Sequence, residues 1–133
     1  MKTNIDLGLL LIRMVIGFTM LLHGINKIVH GLDYIKSVVS DHGLPTFLGY
    51  GIYIGEIIAP LLIIIGFRTR LASLALAVTC ILIVLFAHVN EVFSLNSNGG
   101  LAIELVCIYL FVSLGLFFTG GGKMSVCTKN KWD

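Results

Sequence analysis

Long apolar runs, each broken by a few charged residues, dominate the chain. Four such runs stand out, at about residues 7–28, 47–67, 71–89 and 101–118. Each has roughly the 20 residues that a helix needs to cross a bilayer. Between them lie a first loop at about 29–46, the short turn Phe67–Arg70 and the polar stretch Asn90–Gly100. In that first loop Leu32, Ile35, Val38 and Val39 share one helical face while Asp33, Lys36, Ser37 and Ser40 lie elsewhere. This pattern predicts a short helix over 32–40 lying in the membrane interface, ended by Gly43 and Pro45. The turn Phe67–Arg70 is so short that the second and third runs must be antiparallel neighbours. The pattern therefore predicts an all-α, four-helix transmembrane bundle, up-down-up-down, occupying the chain as one domain.

Composition agrees. The 133 residues are 57% hydrophobic and only 12% charged, and mean hydropathy is +1.00, well outside the range of soluble domains. The net charge of +2, with no basic-aromatic patch, excludes a nucleic-acid partner. Lys2, Arg68, Arg70, Lys123, Lys129 and Lys131 would fall on one side of the bilayer and Lys27 and Lys36 on the other. The excess of cations on the first side puts both termini in the cytoplasm. The first run is too long for a cleaved signal, and no A-x-A site follows it, so it is expected to remain as a span. Cys80, Cys107 and Cys127 form no paired or metal-type spacing. They read as small apolar fillers and one free thiol. Gly51, Gly55 and Ala59, spaced by four, form a small-residue ridge for close helix packing.

Candidate chemistry lies in the charges inside the apolar runs. Arg13, His23 and Lys27 fall within an arc of about 80° on the first helix, together with Gly17, Met20 and Gly24. A cationic stripe at membrane depth must face protein or a wet cavity. Glu56 in the second run, His88 at the end of the third and Glu104 near the start of the fourth are its potential partners. By depth they sort into two layers. An inner layer would pair Arg13 with Glu56, as a structural tie or a proton relay. An outer layer would gather His23, Lys27, His88 and Glu104. Of these, the pair His23 and Glu104 best fits function, because histidine titrates near neutral pH and a carboxylate can orient it. Two histidines and a carboxylate in this layer could in principle bind a metal, but without a fixed spacing between them no metal site is expected. Pro60 lacks an N–H, so the carbonyl of Glu56 loses its helical donor and adds an acceptor beside the carboxylate.

These motifs, in order, resemble the DoxX family of small four-helix bacterial membrane proteins. The first run, Leu9 to Lys27 as LLLIRMVIGFTMLLHGINK, is similar to that family's LxLLRxxxGxxxxxHGxxK. Glu56, Pro60 and the turn Gly66–Arg70 match its second helix and the turn after it. Gly99–Glu104 and Gly120–Ser125 match the two ends of its fourth. Where the family often finishes S-x-D, this chain has Ser125, Val126 and Cys127. The resemblance implies a multi-pass protein of the bacterial inner membrane tied to redox chemistry, since subunits of thiosulfate:quinone oxidoreductase look like this family. On that basis the expected function is a membrane subunit that exchanges electrons or protons with quinone. His23 and Glu104 would bond or protonate the quinone oxygens, and Lys27 would stabilise developing negative charge. No haem, flavin or iron–sulfur motif is present, so electrons would come from a partner redox protein. Two rival expectations are a non-catalytic assembly module, acting through a partner or as a homo-oligomer, and a small-solute transporter.

Overall fold

The computed structural model describes residues 2–133. Their regular elements are all helices, with one isolated bridge between Leu95 and Leu101 in place of any sheet among the described residues. The first helix, α1 (Ile5–His30), is capped by the Asn4 side chain, whose oxygen accepts from the Leu7 N–H at 3.0 Å. Asp6 in its first turn and Lys27 and His30 in its last complement the helix dipole. Its 26 residues reach about 39 Å, more than a bilayer core. A short amphipathic helix follows, α2 (Asp33–Asp41), with no residue of its own fully buried.

The second apolar run is not one regular helix. A 3-10 segment at Thr46–Gly51 leads to a wide π turn at Ile54–Ile58, and only then to α3 (Ala59–Ile65). The cause is local. Pro60, the second residue of α3, has no N–H to offer four residues back, and the Ala59 N–H reaches the Ile54 carbonyl five residues back. Helix α4 (Thr69–Ala87) begins after Arg68, whose φ of 49° is left-handed. An ion pair from Arg68 to Asp133 at 3.2 Å holds that turn.

Helix α5 (Glu104–Thr119) starts later than the run at 101–118 suggests. Asn96 is the reason: its side-chain oxygen accepts from the Asn98 and Gly100 N–H groups, and its own N–H bonds the Gly100 carbonyl. The residues before Glu104 are thereby fixed as a turn. Three segments are thus long and apolar enough to cross a membrane, Ile5–His30, Thr46–Ile65 and Thr69–Ala87, and α5 is a shorter apolar helix.

Packing centres on Ile16, Met20, Ala59, Ile63, Leu76, Cys80 and Leu116. Helix α4 packs most extensively on α5 and also on α3, while α1 lies along α3 and the π turn and meets α5 only sparsely. Two glycines set the closest approaches. A Cβ on Gly24 would collide with the Glu56 carbonyl oxygen, and one on Gly55 would collide with the Thr79 side chain. Close backbone contact of this kind, through small residues, is how membrane helices associate where lipid removes the hydrophobic incentive.

Candidate functional site

The register of α1 against the second run places the charges. Arg13 faces Ile63 and Ile64, Gly17 faces Pro60, and Gly24 faces Glu56. The two segments are therefore antiparallel here. Helical side chains lean toward their own N-terminus. Lys27 and Glu56, on antiparallel partners, lean toward one another, whereas Arg13 and Glu56 lean apart. Accordingly Lys27 Nζ donates to Glu56 Oε2 at 2.6 Å. The expected pairing of Arg13 with Glu56 is absent.

Arg13 is 1% exposed and is held by oxygens other than carboxylates. Its Nε donates to the Ile63 carbonyl and Nη2 to the Ile64 carbonyl, both at 2.9 Å. These belong to the last turn of α3, where carbonyls lack helical donors and carry the negative end of the dipole. Nη1 donates to the Gly121 and Met124 carbonyls and to Ser125 Oγ. Those acceptors come from the segment after α5, which folds back over this end. The N–H groups of Val126 and Cys127 bond the Ile65 and Gly66 carbonyls. Those of Arg70 and Leu71 bond the Trp132 carbonyl. The pattern of apolar runs held no sign of this strap.

The outer layer is not gathered as the sequence suggested. His23 is exposed, with its ring edge-on to Tyr109 at 6.1 Å. Glu104 is exposed at the start of α5, folded against Gly100. His88 Nδ1 lies 3.0 Å from Glu91 Oε2, its neighbour in sequence. Depth alone brought these groups together in the reading of the sequence. Among the described residues His23 and Glu104 share no hydrogen bond or ion pair.

What the structure does build is a chamber of about 510 Å3 with the Lys27–Glu56 pair at one end and His88 at the other. Its walls are apolar: Ile35, Val38 and Val39 from α2, Leu48 and Ile52 from the second run, and Ile83 and Phe86 from α4. The amphipathic face of α2 forms one whole wall. Among its contacts, Lys36 Nζ sits 4.7 Å from the Tyr50 ring centre, and the ring of His42, just past the helix, meets Phe86 edge-on at 4.7 Å. Interaction with the Tyr50 side chain also pushes the Lys36 ammonium above its usual pKa. The Glu56 side chain is 3% exposed and that of Lys27 23%, so the ammonium is the part of the pair that an occupant would meet first. Tyr53 Oη donates to the Lys27 carbonyl at 3.3 Å and ties the two segments together beside it. An apolar cavity with a few convergent polar groups is the usual form of a small-molecule site.

Comparison with known proteins agrees with the motifs. The sequence model of the DoxX family matches residues 8–89, which carry Arg13, His23, Lys27, Glu56 and His88. The chain is 27% identical to "Putative oxidoreductase CatD" of Bacillus subtilis over 129 residues, covering 92% of this chain and 96% of that protein. It is 30% identical to an uncharacterized protein of Haemophilus influenzae, over 89% of this chain and 87% of that one. No solved structure matches. Three long apolar helices and kinship across nearly the whole length make this a multi-pass membrane protein, and the chain belongs to the DoxX family.

Proposed function

We propose that the protein is the membrane subunit of a bacterial redox system and that its chamber receives the headgroup of a quinone. In this reading four helices cross the inner membrane up-down-up-down, with both termini in the cytoplasm, and α5 completes its crossing with the turn before it. The single observation that carries the reading is the apolar chamber lined at one end by a Lys–Glu pair, its carboxylate buried and its ammonium partly exposed. Such a cavity suits a flat apolar ring bearing carbonyl oxygens. Lys27 donates to one of those oxygens and stabilises the negative charge that builds on it during reduction. Glu56, hydrogen-bonded to Lys27, holds or moves the accompanying proton. Reducing a quinone to its hydroquinone takes two electrons and two protons; the electrons come from a partner redox protein at the membrane. Kinship with a protein whose name carries the word oxidoreductase supports the redox setting. His23 and Glu104, which do not line the chamber, have no part in this chemistry, and Arg13 ties the fold together.

The test is binding of short-tailed ubiquinone and menaquinone analogues to the protein in lipid nanodiscs. Wild type should bind one of them saturably. Lys27→Met and Glu56→Gln should each weaken binding about tenfold or more, the scale of a charge-assisted hydrogen bond. Val38→Trp, which fills the chamber from α2, should abolish binding, and His23→Ala should leave it unchanged. Failure of every analogue to bind saturably would remove the proposal.

A further inference from the structure

The outward side of α1 carries a pattern that packing within one chain does not use. Ile12, Val15, Thr19, Leu22, Asn26 and Val29 follow one another at alternating intervals of three and four, the spacing of a coiled-coil seam. They lie about 160° round the helix from the buried stripe of Arg13, Gly17, Met20 and Gly24. Ile12, Val15, Leu22 and Val29 are 43%, 65%, 66% and 71% exposed. Apolar residues there are ordinary lipid-facing side chains, but Asn26 is not. Its carboxamide offers two donors and an acceptor, is exposed about one turn below the outer end of α1, and has no side-chain hydrogen bond among the described residues. Polar side chains at membrane depth face protein or water rather than lipid. On the same side, a shallow apolar groove of about 310 Å3 opens between α1 and α5 at the level of Ile12, Val15 and Thr19, where those helices meet only sparsely.

We propose that a second copy of the chain docks on this face, α1 against α1, about a twofold axis along the membrane normal. Two copies inserted in the same orientation are parallel, so each seam position meets itself across the axis. Asn26 then faces Asn26 of the other copy. Two carboxamides satisfy each other's donors and acceptors, and a single buried asparagine in a parallel seam fixes register and pairing. An unrelated helix would have to supply a polar complement of its own at that depth; a second copy brings one by symmetry. The open groove takes the inner half of the other α1, where Ile12 and Val15 interlock. The chamber lies across α1 from this seam, so the proposal stands apart from the identity of any ligand.

Cysteine cross-linking in bilayers tests it, in a background carrying Cys107→Ala and Cys127→Ser. Val15→Cys, Leu22→Cys and Val29→Cys should form disulfide-linked dimers on mild oxidation. Ile28→Cys and Phe111→Cys, 59% and 69% exposed but off the seam, should not. Asn26→Leu should weaken dimerisation in nanodiscs about three- to twentyfold, the range measured for interhelical hydrogen bonds in membranes, while Asn26→Gln should largely preserve it. If Asn26→Leu fails to fold, the cross-linking pattern decides alone. A wild-type protein that stays monomeric in nanodiscs at every concentration, cross-links only through Phe111→Cys, or undiminished dimers of a folded Asn26→Leu would overturn the proposal.

Discussion

The two ends of α1 solve the same problem in opposite ways. At the N-terminal end Arg13 is enclosed by α1, α3 and the strap after α5 and bonded to five oxygens. Its positive charge is balanced by the carbonyls closing α3 and by the strap after α5. At the C-terminal end Lys27 has a full counter-charge, Glu56, and a chamber of about 510 Å3 beside it. The first arrangement bonds all three guanidinium nitrogens and leaves little space; the second leaves the ammonium partly free. A charge enclosed on all sides can do no chemistry on a visiting molecule, whereas a charge at the end of a cavity can. Burial of a titratable or cationic group therefore locates function only when there is room beside it.

This contrast should be visible in mutants. Arg13→Ala removes the fork that joins α1, α3 and the strap and leaves several carbonyls without donors. Breaking a buried charged network of this kind costs about 3–5 kcal/mol, so folded protein should be scarce and the remainder should lose protection of the strap amides in hydrogen exchange. Arg13→Lys should rescue little, because one ammonium cannot reach the α3 carbonyls and the strap oxygens that the separate nitrogens of the planar guanidinium reach together. A stable Arg13→Lys protein with wild-type strap protection would show that charge alone, and not the fork, holds this end.

The next effect in size is steric. Gly24→Leu would force α1 away from the Glu56 carbonyl, at a cost of about 1–3 kcal/mol for overpacking. It should also lengthen the Lys27–Glu56 contact, so ligand affinity should fall with stability. Glu56→Gln comes third. It preserves shape and a hydrogen bond but removes the counter-charge. Because Lys27 can turn into the chamber, the stability loss should stay near 1–2 kcal/mol, less than truncating a fully enclosed partner. Thermal unfolding of Arg13→Ala, Gly24→Leu and Glu56→Gln in one lipid ranks them, and a larger loss for Glu56→Gln than for Arg13→Ala would reverse the contrast drawn between the two ends.

Much of this was legible in the residues, and the part that was not has a physical reason. The apolar runs and the stripe of Arg13, Gly17, Met20 and Gly24 pointed to helices and to the buried side of α1. The helical pattern at 32–40 pointed to α2, observed at Asp33–Asp41, and Pro60 pointed to a break at Glu56. Depth alone misled the pairing, since it ignores the direction in which a helical side chain leans. Applied to antiparallel neighbours, that direction favours Lys27 over Arg13 as the partner of Glu56. The acceptors of Arg13 could not have been found this way. Gly121 and Met124 contribute backbone carbonyls, which leave no trace in side-chain chemistry. Nor could the wall that α2 gives the chamber, because amphipathicity says which face is apolar and not what that face covers.

The smallest predicted effect concerns that wall. Helix α2 buries no residue fully, and the Lys36–Tyr50 contact is one of the few that hold it. Tyr50→Leu removes the ring under the ammonium, whereas Tyr50→Phe keeps it. Exposed cation–π contacts are weak, so amide exchange over α2 should rise only about two- to fivefold in Tyr50→Leu and hardly at all in Tyr50→Phe. Because Tyr50 raises the Lys36 pKa above its ordinary 10.5, the contact contributes fully at every pH below that value and is lost only above it. The ratio of exchange rates between Tyr50→Leu and wild type should accordingly be the same at pH 6 and pH 9. A ratio that changes over this interval would show that the Lys36–Tyr50 contact is not what sets the stability of this wall.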